Sequence, residues 1–379
     1  MRLAHIESSM DWGGQELRIV EQSAWLNQHG HPTWIIARPG AAILVQAQQR
    51  NVPVHAMEIR GSANPSTLLA LKRFLRSNQI ELLDCHGNRD STYGAYIKWL
   101  TGLPVVRSRH VTDPIRVDAL RRLIWQKGND GIIVTAGKIR QMLGDAGLAP
   151  ADKVYVAVAG VDEERFSPAR DGQALRAQLG IPADHVVLAN VGMIRPDKGQ
   201  LFYVQACRQL LQQHDNLTCI QLGAATGQTE GYRQEVLAAA GDDLTRERIR
   251  FLGYQSDIEN WLAMADIVVV ASVATEAQTR LVAQAFLMQK NIVATTVGGL
   301  PEMIEHERTG LLCTPGQPQA LADAVQRLLQ DKGLAEQLRT NAYSHARQYM
   351  SFDYMMHGML QAYQAAARRA GRSLTACAA

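Results

Sequence analysis

Apolar and polar positions in this chain come in alternating blocks. Short runs rich in Val, Ile and Leu, bounded by turn residues, are each followed by a longer stretch with apolar side chains at helical spacing. In the first half the short runs are 3–6, 33–37, 54–59, 82–85, 105–107, 132–135 and 154–158; in the second they are 186–191, 218–222, 249–252, 267–270, 292–295 and 310–313. Runs without polar alternation suit strands buried on both faces. The amphipathic stretches between them, such as 17–26, 68–75, 95–100, 139–143, 201–211, 232–240, 258–264 and 281–288, read as helices. Repeated strand–helix units predict parallel sheets covered on both sides, and two such sets in series predict two Rossmann-like domains.

The join is expected between 158 and 186, where Ala159-Gly-Val-Asp-Glu-Glu-Arg-Phe-Ser-Pro168 has turn chemistry and a helix at 172–179 leads into the second sheet. The expected division is 1–165, 166–350 and a last helix, 351–379, packing back toward the first domain. After Gln317 the pattern is purely helical (319–329, 334–349, 352–369), and these helices, having no strand of their own to cover, are expected to cross the domain junction.

Length and composition agree. A chain of 379 residues exceeds one ordinary core, and 46% hydrophobic with 20% charged residues is a globular balance. No apolar run has membrane-spanning length, and the N-terminus enters a strand without a signal-peptide layout, so a cytoplasmic protein is expected. Cys85, Cys207, Cys219, Cys313 and Cys377 are scattered with no Cys-x-x-Cys pair, which favours free thiols. A net charge of +3 gives no argument for nucleic acid. Basic residues do gather locally: over 114–128, Arg116, Arg121, Arg122 and Lys127 are interleaved with Leu120, Leu123, Ile124 and Trp125. That stretch reads as an amphipathic helix, suited either to an anionic membrane surface or to packing on its own domain.

Candidate chemistry sits where strands end. After 267–270 comes a short loop carrying one acid, Glu276, and then a helix. Carboxyl ends of parallel strands are where open α/β sheets bind ligands, and helix N-termini attract phosphate. The loop Asn190-Val-Gly-Met-Ile-Arg-Pro-Asp-Lys-Gly199 places Arg195 and Lys198 at another strand end, as two cations that suit a diphosphate, a plain solvated basic loop being the alternative. Gly223, Gly253 and Tyr254 end two further strands, where small residues leave room for a base or ribose; ordinary turns are the simpler reading. Gly13 and Gly14 precede the first helix without the Gly-x-Gly-x-x-Gly spacing, which counts against a nicotinamide enzyme. His110 and His86 each end a strand of the first domain, where a His could hydrogen-bond a sugar hydroxyl or share in proton transfer; a lone loop His is more often incidental. No metal-ligand spacing is present among the His, Asp and Glu residues.

In order and spacing, Gly13-Gly14, Arg195 with Lys198-Gly199, Gly253-Tyr254, 266–270, Glu276 to Gln284, and Val297-Gly-Gly-Leu-Pro-Glu302 followed by Gly310-Leu-Leu resemble the retaining glycosyltransferases of family 4. That resemblance covers roughly residues 1 to 350. It implies the GT-B fold: two Rossmann-like domains facing a cleft, the first binding the acceptor and the second a nucleotide-diphosphate sugar, with no cofactor and no metal. It also implies roles. Arg195 and Lys198 hold the diphosphate, with Gly192 beside them. Glu276 meets the donor sugar, Thr279 and Arg280 offer backbone N–H groups to phosphate, and Gln284 grips the ribose. Tyr254 lies near the base, and His110 touches the transferred sugar. Two positions depart from the family pattern: Met193 stands where an Arg is usual, and Gln284 where a second acid is usual. Joined to the resemblance, the basic helix suggests a lipid-linked or membrane-embedded glycan acceptor of lipopolysaccharide or polysaccharide type, and a peripheral place on the inner face of the cytoplasmic membrane. The rival readings are a nucleotide-sugar 2-epimerase or a phosphorylase on the same fold, and a non-catalytic nucleotide- or glycan-binding protein.

Overall fold

The computed structural model describes residues 1–110, 115, 117–274, 276 and 279–375; Arg116 and Cys377 lie outside them. The chain divides into two compact units, Met1–Val158 with Met356–Ala379, and Ala159–Met355. The first break comes before the expected 165/166. The physical reason is backbone pairing: the Val161 N–H donates to the Met350 carbonyl, and the Phe352 N–H to the Val161 carbonyl, so this connector is held by the second unit.

Each expected apolar run forms a strand. The first unit carries β1 (Leu3–Glu7), β2 (Thr33–Ala37), β3 (Val54–Ala56), β4 (Leu82–Cys85), β5 (Val105–Arg109), β6 (Gly131–Val134) and β7 (Val154–Val156). The second carries β8 (Val186–Val191), β9 (Leu217–Leu222), β10 (Ile249–Phe251), β11 (Ile267–Val270), β12 (Asn291–Thr295) and β13 (Leu311–Cys313). The sheet orders are β3-β2-β1-β4-β5-β6-β7 and β10-β9-β8-β11-β12-β13. Every strand pairing is parallel.

Alternate side chains of a strand enter different cores, which is why the runs show no polar alternation. In the second unit, Leu188, Cys219 and Val269 pack with Tyr203, Val204, Leu321 and Val325. Their neighbours Val187, Ala189 and Ile220 pack with Ile181, Trp261 and Met264. The first unit repeats this, with Ile6, Ile36 and Leu83 against Leu71 and Tyr93, and Ile35 and Ala37 against Ile19 and Val20.

Helix bounds follow local chemistry. Asn64 caps Pro65–Ser77 through bonds from the Ser66 and Thr67 amides, and Pro65 fills the first helical position, where its missing N–H costs nothing. The helix expected over 114–128 is Ala119–Lys127, because Asp118 caps it through the Arg121 amide. The sequence pattern does not show the short helices Ala42–Gln48, Asp242–Thr245 and Leu300–Met303; the first has too few polar positions to show a period, and the other two are only four residues long. Of the C-terminal helices, Pro318–Gln330 and Lys332–Tyr349 pack within the second unit, both reaching β12. Phe352–Arg369 is the one that carries the chain from the second unit into the first.

Cys85, Cys207, Cys219 and Cys313 are free thiols. No helix among the described residues is long and apolar enough to cross a membrane.

Phe286 is fully buried in the helix that follows β11. Phe286→Ala is expected to cost about 3–5 kcal/mol, lost contact plus cavity, measured by denaturant unfolding; a loss below 1 kcal/mol would show that this helix is not fixed by core packing.

Candidate functional site

In each sheet the chain reverses the direction in which it adds strands. β8, β9 and β10 run one way across the second sheet, and β11 then starts on the other side of β8. A crevice opens at such a reversal, outside the carboxyl ends of the two central strands. The register shows the opening: β11 pairs with β8 only at Ile267–Leu188 and Val268–Ala189, after which the Asn190 side chain spans the gap to the Val269 carbonyl at 2.7 Å.

The loops leaving β8 and β11 carry Lys198 and Glu276. Their side chains form an ion pair, Nζ to Oε2, at 2.6 Å. The Ser272 hydroxyl donates to the same Oε2 at 2.9 Å, and the Thr295 hydroxyl donates to the Ser272 carbonyl. Glu276 is 8% exposed, whereas the Lys198 side chain is 27% exposed. The carboxylate is therefore fixed and the ammonium is the more accessible partner. Two glycines make the arrangement possible. At Gly199 (φ +67°) a Cβ would stand 2.0 Å from the Ala271 carbonyl oxygen. At Gly298 (φ +60°) it would stand 1.9 Å from the Glu276 carbonyl oxygen, which accepts from the Gly299 amide at 2.7 Å.

The other expected donor-site residues lie at the same sheet edge. Arg195 forms a two-pronged ion pair with Asp197, which holds the guanidinium above its ordinary pKa. Backbone bonds stitch the loops after β8, β9 and β10 together: the Gly192 amide donates to the Leu222 carbonyl and the Gly223 amide to the Gly253 carbonyl. Thr279 caps Arg280–Leu287, accepting from the Leu281 amide, and Gln284 is half-buried on that helix. Met193 and Tyr254 are exposed, at 47% and 77%, and Tyr254 makes no side-chain hydrogen bond among the described residues. Sequence reasoning missed Ser272, Thr295 and Asp197. Only Asp197, two residues from Arg195, left a readable signal.

In the first unit, β1 and β4 flank the reversal. Gly13 caps the Gly14–Gln28 helix in an extended conformation, and a Cβ at Gly14 would meet nothing within 4 Å, so this helix N-terminus is open. His110 follows β5; its Nε2 lies 3.2 Å from His86 Nδ1, and His86 Nε2 lies 2.9 Å from His5 Nδ1. Burial pushes His5 down to about 4 and His86 to about 3, the latter helped by the nearby Arg18 charge. Burial and Arg18 likewise push His110 down, so the three rings are neutral. His5, Asp84 and His86 offer ligand atoms within 4.8 Å of one another, the kind of cluster that can hold a metal. Their geometry is that of hydrogen bonding: the rings bond each other, and Asp84 accepts from Tyr363 at 2.8 Å and Ser108 at 2.9 Å.

The basic helix needs correction. Trp125, expected at a membrane surface, is 2% exposed, and the Arg107 guanidinium lies 3.3 Å from its ring centroid. It is a core residue with a cation on its face. Leu120, Leu123, Arg121, Arg122 and Lys127 remain on the exposed side.

Two parallel-sheet Rossmann-like units, with a cation–carboxylate pair at the strand-order reversal of the second, define the class to which the chain compares. Residues 12–165 match the model described as Glycosyltransferase Family 4, and residues 185–331 the model for glycosyl transferases group 1. A D-inositol 3-phosphate glycosyltransferase of Actinosynnema mirum is 30% identical over 291 residues, 70% of this chain and 69% of that one. A glycosyltransferase crystal structure from Rickettsia africae superposes with a TM-score of 0.88 at 19% identity, covering 96% of this chain and 98% of that one. Anabaena HepE in complex with UDP superposes with a TM-score of 0.83 at 22% identity, covering 95% and 99%. The chain belongs to the family 4 glycosyltransferases and has the GT-B fold.

Two measurements test this geometry. Gly199→Ala forces a left-handed residue into the Ala271 carbonyl and is expected to destabilise the protein by about 1–3 kcal/mol, read by thermal unfolding; an unchanged midpoint would show that the two loops do not meet as described. Glu7, at the end of β1, is raised to about 7 by burial and by Asp90. A carboxyl group raised in the folded state resists ionising, so its cost is absent at low pH and grows as pH climbs from the unfolded value, near 4.5, to 7. Glu7→Gln is therefore expected to gain about 1–3 kcal/mol over the wild type at pH 8, and much less at pH 5. Equal gains at both pH values would contradict it.

Proposed function

We propose that this glycosyltransferase moves a hexosyl group from a nucleotide-diphosphate sugar to a glycan or lipid-linked acceptor, with retention of configuration and without a metal ion. The observation that carries the reading is the Lys198–Glu276 pair at the β8/β11 reversal. A partly exposed ammonium there suits a leaving diphosphate, and a carboxylate fixed by Ser272 suits sugar hydroxyls. Anabaena HepE, of similar fold, was crystallised with UDP and with UDP-glucose, which supports a nucleotide-sugar donor.

In this reading the bond between the anomeric carbon and the diphosphate oxygen breaks while the acceptor oxygen attacks the same face. The acceptor proton passes to a phosphate oxygen. No protein nucleophile is needed; the protein supplies position and charge. Lys198 stabilises the negative charge that grows on the leaving group, and Arg195 adds to it from its place beside Asp197. Thr279 and Arg280 offer backbone N–H groups at a helix start. Gln284 donates to and accepts from ribose hydroxyls, without the charge that an acid would bring. His110 hydrogen-bonds the transferred sugar. A lipid-linked acceptor is supported by the exposed Leu120 and Leu123, which lie among Arg121, Arg122 and Lys127.

Lys198→Ala is expected to lower turnover by roughly 10²–10³-fold, the usual loss when one preorganised electrostatic donor is removed, and Glu276→Ala to impair transfer as well. Full transfer by both variants, measured against a panel of nucleotide sugars and acceptors, would overturn the site. Activity is expected to persist after EDTA treatment; loss restored by magnesium would overturn the assignment of the diphosphate to side-chain cations.

A further inference from the structure

Behind His110 the first unit holds a buried row of rings with no evident task in packing. His5 lies on β1, opposite Asp84 of β4 in the parallel register; His86 follows β4, and His110 follows β5. Each ring nitrogen that bonds a neighbour does so once: His5 Nδ1 with His86 Nε2, and His86 Nδ1 with His110 Nε2. In a row of neutral imidazoles each ring has one donor and one acceptor, so fixing one tautomer fixes the next. Only two arrangements are consistent. Protons pointing inward would leave His5 with an N–H at Nε2, a buried atom with no hydrogen-bond partner among the described residues. Protons pointing outward place the His5 proton at Nδ1, 3.7 Å from the Asp84 carboxylate, and leave at Nε2 only a lone pair. Asp84 Oδ2 lies 3.7 Å from His5 Nδ1 and 3.9 Å from His86 Nε2, so the carboxylate does not choose between them; the choice falls to the buried Nε2 atom, where an orphaned N–H is the rarer defect. Asp84, held by Tyr363 and Ser108, stands beside the inner end of the row.

We propose that His5 and His86 are positioning residues that lock His110 in the tautomer protonated at Nδ1, so that it presents a hydrogen-bond donor to its ligand. That this ligand is the transferred sugar rests on the function proposed above; the tautomer does not. The outward row makes His110 a donor to hydroxyl oxygens, whereas a free imidazole can turn either nitrogen to its surroundings.

The experiment is nitrogen-15 NMR of full-length protein labelled at histidine, with the His110 signals assigned by their loss in His110→Gln. The wild type is expected to show His110 protonated at Nδ1. His86→Phe should shift it toward the form protonated at Nε2, and His86→Asn, whose amide stands near the Nδ1 position, should restore the Nδ1 form. In transfer assays, His86→Phe should lower kcat at least tenfold with little change in affinity for UDP, and His86→Asn should recover most of it. A wild-type His110 protonated at Nε2, or one unmoved by His86→Phe, would overturn the proposal, as would a stoichiometric metal ion in the purified protein that is lost in His86→Phe. If His86→Phe does not fold, the wild-type spectrum and His86→Asn still decide. The predicted tautomers in a protein that transfers no sugar would support the row while removing the functional reading.

Discussion

The constraint on which the rest depends is the reversal of strand order beside β8. A parallel sheet must return the chain through a helix after every strand, and when additions switch sides, the loops that follow two adjacent strands leave in opposite directions. Those two loops hold Lys198 and Glu276. The crevice is a consequence of topology, and the residues placed there by sequence decide its chemistry. The reversal brings a cation and an acid 78 positions apart in the chain to 2.6 Å.

The loops reach that geometry because glycine stands where a side chain cannot. Gly199 and Gly298 take left-handed backbone conformations against carbonyl oxygens of the β11 loop. Glu276 is thereby held from three sides: by Lys198, by Ser272 and through its own carbonyl by Gly299. A carboxylate fixed in this way has little freedom left to lose on binding a ligand, which is the physical content of preorganisation. The first unit uses its own reversal differently. There the strand ends bring together neutral histidines and buried acids, and burial depresses the rings while it raises Glu7 and Asp90. One reversal is built for charge and the other for uncharged hydrogen bonding.

Much of the fold was legible in the sequence, because a strand buried on both faces is apolar at most positions and a covering helix is apolar on one face. The strand runs showed this plainly. The short helix Ala42–Gln48 did not, having too few polar residues to show a period. The amphipathic helix after β5 was legible as a helix, yet its Trp125 was misplaced. Helical spacing gives a face but not what covers it, and the cover is Arg107, a cation from a neighbouring strand.

By itself the sequence determined the alternation of strand and helix, the two-domain plan, and the loops that carry Lys198, Glu276 and His110, since these depend on local period and on residue type at strand ends. Only the tertiary structure decided which loops meet. Strand order joined Lys198 to Glu276 and aligned His5, His86 and His110 into one row. Partners separated by tens of residues are chosen by the order of strands in a sheet, and that order is set by the packing of both faces at once, which no local pattern records.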